Sequence, residues 1–371
     1  MKEYTYQEKS NIENQQKLRQ LLQELPLFTI TFFRGIEPRT SSRTRLSYGY
    51  DLRLFFEFLQ ENNPEIAKYS MRDIPLEILD QIKAVDIEEY MEHLKLYKRE
   101  GRTYTNGERG LARKLASLKT FYNYFFKKEL IYTNPASLVS APKLHEKNII
   151  HLEVDEVARL LDHVENGEEL TEKQLAYHQH TKTRDLALLT LFLGTGIRVS
   201  ECVGLNIEDI DLNNNGIKIT RKGGNEVIIY FSDEVLEALL PYLDERKQIE
   251  AVPGHTNALF LSMQRKRMSV RSVEKLVKKY ASTVTTMKQI TPHKLRSTYG
   301  TNLYNETGDI YLVADVLGHK DVNTTKKHYA YLEDSRRRMA AKAVTLREKL
   351  PTDTSVQLNK KFKDQNSNSE E

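Results

Sequence analysis

Hydrophobic positions in the first half of the chain repeat at the spacing of α-helices. Over residues 44–60, apolar side chains recur every four positions and predict a buried face made of Leu46, Tyr50, Leu54 and Phe58. Over residues 107–130, the same kind of spacing predicts a second buried face, made of Leu111, Leu115, Leu118, Tyr122 and Phe125. The first half of the chain is therefore predicted to be helical.

A break in this pattern follows at residues 134–148, where Pro135 and Pro142 interrupt any helix and little apolar periodicity remains. We expect an interdomain linker there. The predicted divisions are a domain over 1–140, a linker over 141–150, a second domain over 151–350 and a disordered polar tail over 351–371.

The second half of the chain mixes helices with short strands. Residues 152–164 predict a helix, and residues 182–202 predict a buried helix broken by Gly194 and Gly196. Residues 216–231 alternate around two glycines at 223 and 224, which supply the positive φ of a tight hairpin turn, and the chain is helical again from Ser269. The predicted fold class is mainly α with a small β-sheet: a helical N-terminal domain and a mixed α/β second domain.

Composition and length add limits on the class of protein. The 371 residues suffice for two domains, and a net charge of +4 is too small by itself to indicate a polyanionic partner. Cys202 is the single cysteine, which fits a reducing compartment. Residues 1–16 lack the apolar core of a signal peptide, and the longest apolar run, from Leu186, is far too short to span a bilayer. We expect a soluble, cytoplasmic protein without membrane contact.

Basic residues cluster in two places, one in each predicted domain. Residues 101–130 hold seven Lys/Arg and two Glu, and the side of the helix opposite its apolar face carries Arg109, Arg113, Lys114 and Lys119. Residues 262–280, together with Lys288, hold eight Lys/Arg and one Glu, including Arg265, Lys266, Arg267 and Arg271. For one helix a solvated charged face is the simpler interpretation, but two basic surfaces favour contact with the phosphates of a DNA duplex.

Several stretches carry side chains that suit cleavage of a phosphodiester without a metal. These side chains are Arg198, Lys222, His293, Arg296, His319 and Tyr329. Two guanidiniums can hold the non-bridging oxygens, a phenol can attack, a lysine of lowered pKa can protonate the leaving oxygen, and imidazoles can move the phenolic proton. The sequence has no compact Asp/Glu cluster for Mg²⁺, so neither a metal nor another cofactor is predicted.

Taken singly, each of these residues has a commoner structural explanation. An arginine after a glycine turn is usually a helix-start cation, and a lysine in a glycine turn is usually solvated. A tyrosine on an amphipathic helix is usually half-buried. It is their joint occurrence in this order that favours an active site.

The blocks GTGIRVSECVGL, TRKGG, TPHKLRSTYGTNL and LGHKDVNTTKKHYAY resemble those of the tyrosine recombinases, the phage integrase family, over roughly residues 150–345. The basic helical half is similar to that family's core-binding domain. The compact two-domain arrangement is most similar to the Xer branch, which resolves chromosome dimers. The resemblance implies a clamp around duplex DNA and a tetramer on two sites, joined by an exchanged C-terminal segment. A DNA translocase or other accessory factor is not identified by the sequence.

The resemblance also implies a role for each candidate residue. Arg198 and Arg296 would bind the scissile phosphate, Lys222 would be the general acid, and His293 and His319 would assist proton transfer and phosphate binding. A tyrosine would attack to leave a 3′-phosphotyrosine and a free 5′-hydroxyl. Neither ATP nor metal would be needed, because the phosphodiester energy is retained.

Three neighbouring positions qualify this assignment. Glu201 stands three residues after Arg198 and is expected to orient that arginine through an ion pair. Ser297 takes the place of a histidine that is frequent in the family, which removes a supporting hydrogen bond rather than a principal catalyst. Cys202 takes the place of a common leucine and is expected to be buried.

The spacing of the nucleophile departs from the family's pattern. The family usually places its tyrosine nine residues after the histidine matched by His319, and that position here is His328. Tyr329 is one residue later and Tyr331 three residues later. A single inserted residue within KDVNTTKK restores Tyr329, which is the predicted nucleophile, with Tyr331 as the fallback.

Other functions remain open from the sequence. An integrase or excisionase of a mobile element would use the same chemistry. A catalytically silent DNA-binding protein would explain Ser297 and the shifted tyrosine, although it would not need the Arg-Lys-His-Arg-His set. A type IB topoisomerase would share the chemistry without the core-binding half.

Overall fold

The computed structural model describes residues 4–145, 149–221, 224–319 and 321–322. The chain divides into two compact units, Met1–Asn148 and Ile149–Glu371. The assignment of separate functions to two domains stays a prediction, and the predicted tail from Pro351 lies outside the described residues.

The first unit is helical apart from one β-hairpin. Its elements are α1 (Tyr6–Leu21), α2 (Thr29–Ile36), α3 (Ser42–Asn62), α4 (Ile78–Gln81), α5 (Ala84–His93), β1 (Leu96–Arg99), β2 (Arg102–Thr105), α6 (Glu108–Lys127) and α7 (Pro135–Leu138). Short 3₁₀ turns lie at Glu37–Arg39 and Met71–Asp73. The strands β1 and β2 pair antiparallel, and this hairpin was not predicted.

The predicted apolar face of α6 is confirmed, whereas that of α3 is correct for two of its four residues and wrong for the other two. All five predicted α6 side chains are buried. In α3, Leu46 and Phe58 are buried, but Tyr50 is 42% exposed and Leu54 only half-buried. The buried stripe runs instead through Gly49 and through Leu52, Phe55, Phe56 and Leu59.

The predicted break at residues 134–148 contains a short helix. Pro135 is the first residue of α7, and the side chain of Asn134 caps it by accepting the Ser137 N–H at 3.2 Å. Ala136 and Val139 are buried in the core of the first unit. Proline at the first position of a helix costs no backbone hydrogen bond, so Pro135 begins a helix rather than ending one.

The second unit packs helices around a small antiparallel sheet. Its elements are α8 (Val154–Asn166), α9 (Glu172–His178), α10 (Lys182–Thr195), α11 (Val199–Gly204), β3 (Ile210–Asp211), β4 (Gly216–Thr220), β5 (Glu226–Tyr230), α12 (Asp233–Gln248), α13 (Val270–Val284), α14 (Pro292–Thr307) and α15 (Ile310–Leu317). A 3₁₀ turn lies at Ile207–Asp209. The strand order within the described sheet is β3-β4-β5. The predicted fold class, mainly α with a small sheet, is confirmed.

The helix α10 runs through the core of the second unit, where it contacts α8, α12 and α14. The predicted break at Gly194 is wrong, because α10 continues to Thr195 and ends at Gly196. A Cβ at Gly194 would lie 2.4 Å from Cγ2 of Val235 on α12. Gly194 is therefore required by the close approach of two helices, not by a turn.

The predicted hairpin is confirmed in its two strands and at Gly224, whereas Gly223 lies outside the described residues. β4 and β5 pair with Gly216 opposite Tyr230 and Thr220 opposite Glu226. Gly224 has a φ of +87°, the left-handed conformation that glycine adopts without strain. The hairpin ends next to the carboxyl end of α15, where candidate site residues meet.

Candidate active site

The carboxyl end of α10 places Arg198. The helix ends at Gly196, which has a φ of +61°, and a Cβ there would lie 2.5 Å from Cδ1 of Tyr299. Arg198 is the N-cap of α11, and its backbone N–H and its Nη1 donate to the Glu201 carboxylate at 2.9 and 2.8 Å. The Glu201 side chain is 5% exposed and that of Arg198 34% exposed. A buried carboxylate thus holds a guanidinium that still reaches solvent, as the sequence predicted.

Arg296 lies one turn into α14. This helix begins with Thr291 as the N-cap and Pro292 in the first turn. Arg296 is buried, and its Nη1 donates to the carbonyl of Gly196 at 2.5 Å. Its Nη2 donates to the carbonyl of Leu317. One side chain therefore connects the carboxyl ends of α10 and α15.

The sequence Leu-Gly-His at the end of α15 forms a Schellman motif. Gly318 has a φ of +61°, and its N–H donates to the carbonyl of Asp315 at 2.8 Å. The N–H of His319 donates to the carbonyl of Ala314 at 2.9 Å. Because glycine takes the left-handed position without strain, the chain folds back at once and the backbone of His319 is fixed to the helix.

The two predicted phosphate-binding arginines converge on this helix end. Nη2 of Arg198 donates to the carbonyls of Leu317 and Gly318 at 3.3 and 3.1 Å. Nη2 of Arg296 donates to the same Leu317 carbonyl. The structure therefore brings Arg198 and Arg296 within reach of one oxygen atom, and His319 follows that atom by two residues.

Arg221 is a third arginine at the same helix end, and sequence reasoning did not select it. Its Nη2 donates to the carbonyl of Val316 at 2.8 Å, and its Nη1 lies 3.4 Å from that of Asp315. The only feature of the sequence that could have indicated Arg221 is its position directly before Lys222. The alternation of inward and outward residues along a strand does not predict which distant atoms a long side chain contacts. With Glu201 as the carboxylate paired to Arg198, the three arginines give this site an excess of positive charge.

His293 and Arg296 differ in exposure although they are three residues apart. His293, in the first turn of α14, is exposed, whereas Arg296 is buried. Such positions are separated by about 60° around the helix axis, enough to turn one side chain outward. The Ser297 hydroxyl donates to the carbonyl of His293 at 3.1 Å, so it is used within its own helix.

Cys202 is buried, as predicted, at 1% exposure. Burial, followed by the nearby Glu201 carboxylate, raises the pKa of its thiol far above the ordinary range. The protonated, enclosed thiol is a packing group and not a nucleophile.

Three residues of the predicted site cannot be placed in this geometry. Lys222, Tyr329 and Tyr331 lie outside the described residues. Their roles stay predictions.

The exposed side of α6 differs from its predicted basic face. Arg109 and Arg113 are exposed and Lys119 is half-buried. Arg113 also binds the buried Asp51 carboxylate, with Nη2 at 2.7 Å from Oδ1. Burial raises the pKa of Asp51, even though Arg113 opposes that shift.

The placement of Lys114 on the exposed face is wrong, because this residue is 8% exposed. Its Nζ donates to Oδ1 of Asn106 at 2.8 Å, and burial lowers its pKa.

The second basic surface keeps three of its four selected residues exposed: Arg265, Lys266 and Arg271. Arg267 is half-buried. Its Nη1 donates to the carbonyls of Val203 and Leu205 at 2.9 and 2.6 Å, and its Nη2 donates to Asn206. Arg267 therefore stabilises the loop after α11, which corrects its assignment to the exposed set.

Within the described ranges, no group of three or more His, Cys, Asp or Glu side chains is arranged to hold a metal ion. In the same part of the chain, no helix has the length and apolar character needed to cross a membrane.

Comparison of the sequence with known proteins gives one family. The model of the phage integrase family matches residues 151–336. The tyrosine recombinase XerC of Caldanaerobacter subterraneus subsp. tengcongensis is 33% identical over 317 residues, covering 84% of this chain and 84% of that protein.

Comparison of the structure gives the same fold. The XerH site-specific recombinase, bound to a palindromic difH substrate in a post-cleavage complex, matches with a TM-score of 0.63 and 20% identity over 89% of each chain. The Tn1549 transposon integrase, in complex with a circular intermediate DNA, matches with a TM-score of 0.57 and 22% identity, covering 83% of this chain and 97% of that one. A site-specific recombinase and a transposon integrase thus share this fold.

Proposed function

The chain belongs to the phage integrase family, and from this premise we propose that it is a site-specific DNA recombinase that cuts and rejoins strands through a 3′-phosphotyrosine intermediate. The observation that carries the proposal is the convergence of Arg198 and Arg296 on the carbonyl of Leu317, two residues before His319. Two guanidiniums that meet at one point, with an imidazole two residues away in the chain, suit the binding and cleavage of a phosphodiester.

The proposed first step breaks one phosphodiester and forms another. The hydroxyl of Tyr329 attacks the scissile phosphorus, and its proton passes to an imidazole, His293 or His319. Arg198 and Arg296 hold the non-bridging oxygens as negative charge grows on them. The 5′-oxygen leaves with a proton from Lys222, which produces a tyrosyl 3′-phosphate and a free 5′-hydroxyl.

The second step reverses the first with a different strand. The 5′-hydroxyl of a partner strand attacks the tyrosyl phosphate, and the phenol regains its proton as it leaves. Bond number and charge are conserved across the two steps, so the scheme calls for neither ATP nor a metal.

The proposed partners are duplex DNA and further copies of the chain. In each unit an exposed basic group supports contact with phosphates: Arg109 and Arg113 in the first, and Arg265, Lys266 and Arg271 in the second. A tetramer on two sites would supply the strand that the second step needs.

The cellular role proposed is Xer-like resolution of chromosome dimers, supported by the likeness to XerC over most of both chains. The alternative is integration or excision of a mobile element. The observation that favours it is the fold shared with the transposon integrase. The two roles use the same chemistry. They are separated by whether the selected DNA site lies once in the host chromosome or at the ends of an element.

The test is covalent trapping. Duplexes that the protein selects from a random-sequence pool are remade with a nick near the cleavage point, so that the short 5′-hydroxyl fragment diffuses away. Wild-type protein in EDTA is expected to form a protein–DNA band resistant to denaturant, because a phosphotyrosine cannot be reversed without that fragment.

Tyr329→Phe is expected to abolish the band and Tyr331→Phe to retain it, with both variants binding the DNA. The reverse result would assign the nucleophile to Tyr331. Tight DNA binding by the wild type with no covalent band on any nicked substrate would instead favour the catalytically silent DNA-binding protein.

A further inference from the structure

The side chain of Arg221 joins the β4–β5 hairpin to the carboxyl end of α15. We propose that it is a positioning residue for Lys222: its guanidinium fastens the turn of the β4–β5 hairpin to the helix end that also fixes the backbone of His319. The inference rests on the proposed function, because it concerns the proposed general acid.

The guanidinium lies against the helix end at three points. Nη2 donates to the carbonyl of Val316 at 2.8 Å, and Nη1 lies 3.4 Å from that of Asp315. A Cβ on Gly318 would lie 2.3 Å from Nη1 and 2.5 Å from Cζ. The guanidinium therefore packs directly over Gly318, whose positive φ independently favours glycine.

The backbone of Arg221 is held as firmly as its side chain. Its N–H donates to the carbonyl of Asn225 at 2.8 Å, and its carbonyl accepts from the N–H of Gly224 at 3.0 Å. Directly before it, Thr220 pairs with Glu226 in the β4–β5 ladder. Lys222 is the next residue along the chain, so the residue that is held here is the one directly before the proposed general acid.

The charge of Arg221 fits its location. The carbonyls at the carboxyl end of a helix carry partial negative charge and favour a cation. Within the described residues, the buried Nε of Arg221 has no hydrogen-bond partner. A buried donor without a partner is costly. The hydrogen bonds of Arg221 to α15 therefore have to offset this cost.

The mechanical consequence is a direct link between the residue before Lys222 and the helix that ends before His319. Lys222 lies one residue beyond Arg221, and His319 lies three residues beyond Val316. Without the Arg221 side chain, the hairpin keeps its ladder but loses these hydrogen bonds to α15. Displacing a general acid by about 1 Å can slow a reaction by about 10²-fold.

The test compares two leaving groups. Arg221→Ala and wild-type protein are assayed for the rate of covalent-complex formation on a suicide duplex and on the same duplex with sulfur in place of the bridging 5′-oxygen. A thiolate leaves without being protonated, so a defect in the general acid disappears on the sulfur substrate. Lys222→Ala provides the reference for that pattern.

The matched control is Arg72→Ala. The Nη1 of Arg72 donates to the carbonyls of Leu22 and Gln23 at 3.4 and 2.9 Å, just past the end of α1 in the first unit. It is therefore another arginine that ties a neighbouring segment to a helix end. Arg72→Ala is expected to cleave both substrates at the wild-type rates.

Arg221→Ala is expected to cleave the oxygen substrate about 10²-fold more slowly than the wild type, to regain most of the rate with sulfur, and to bind DNA unchanged. Wild-type rates on the oxygen substrate, or an equal defect on both substrates, would overturn the inference alone. Rescue by sulfur also demonstrates that the variant is folded. Failure of wild-type protein to form any covalent complex would instead overturn the proposed function.

Discussion

At the scale of single residues, the proposed site contains a buried carboxylate, Glu201, that is bonded to Arg198. Glu201 occupies the third position of α11, where its two oxygens accept from the backbone N–H and from Nη1 of Arg198. This confirms the ion pair expected from a spacing of three. Nη1 of Arg198 is held by this carboxylate and Nη2 by the carbonyls of Leu317 and Gly318, so the guanidinium is positioned before DNA arrives.

Replacing Glu201 by glutamine keeps the shape of the side chain and removes its charge. We expect Glu201→Gln to form the covalent complex about tenfold to a hundredfold more slowly, because a guanidinium held less firmly binds the transition state less well. The affinity for DNA should be unchanged, since Arg198 itself remains. Single-turnover trapping and a gel-shift titration measure the two quantities separately.

Glu156 offers a control of the same design. It accepts the backbone N–H of Glu153 at 2.8 Å at the start of α8 and pairs with Lys288. Burial opposes ionisation of Glu156, yet the hydrogen bonds from Lys288 and Glu153 lower its pKa. Glu156→Gln should reduce thermal stability and leave the cleavage rate at the wild-type value. An equal loss of rate in both variants would show that Glu201 acts through stability.

At the scale of elements, two glycine-ended helices deliver the site. α10 ends at Gly196 and α15 at Gly318, each in the left-handed conformation. The turn after α10 leads to Arg198, and the turn after α15 leads to His319. The sequence predicted the break at Gly196, because glycine at a helix end has a local cause, but it made no prediction of a helix ending at Gly318.

Gly194 is needed for a different reason, the close approach of α10 and α12, and this reason can be tested by mutation. Alanine in a helix interior is normally about 1 kcal/mol more stable than glycine. Here the added methyl would lie 2.4 Å from Val235, so overpacking of about 1–3 kcal/mol should dominate. We expect Gly194→Ala to lower the free energy of unfolding, measured by urea denaturation.

Val235→Ala provides the second arm of that experiment. Combined with Gly194→Ala, it removes the atom that the new methyl would strike, so the double variant should be more stable than the sum of the single effects. Strict additivity, or a single Gly194→Ala variant as stable as the wild type, would contradict the contact between α10 and α12.

The face of α3 was mispredicted for a related reason. Its buried stripe includes Gly49, where a Cβ would lie 2.7 Å from Cδ2 of Leu21 on α1. Glycine has no apolar side chain, so the spacing of apolar side chains did not mark Gly49 as buried. The predicted face was placed on Tyr50 instead. By contrast, the buried face of α6 consists of large apolar residues at regular spacing and could be predicted from sequence.

At the scale of the whole molecule, the sequence predicted the fold class and the family, and it placed Arg198, Arg296 and His319 in blocks that the fold brings together. Lys114 was also within reach of sequence reasoning, because it is three residues from Leu111 and four from Leu118 and so belongs to the buried stripe. Arg221 and Arg267 were not. Their side chains contact residues that are far away in the chain, and such contacts cannot be predicted from the local spacing of residues.

The central claim is that a tyrosine of this chain becomes joined to a DNA 3′-phosphate. Wild-type protein trapped on a suicide duplex in EDTA can be digested with nuclease and trypsin and analysed by tandem mass spectrometry. Cleavage after Lys327 and Arg336 leaves Tyr329 and Tyr331 on one peptide, 328–336, whose fragments distinguish them. We predict a nucleotide 3′-phosphate on Tyr329. An adduct on a residue other than a tyrosine, or a linkage through the 5′-phosphate, would contradict the claim.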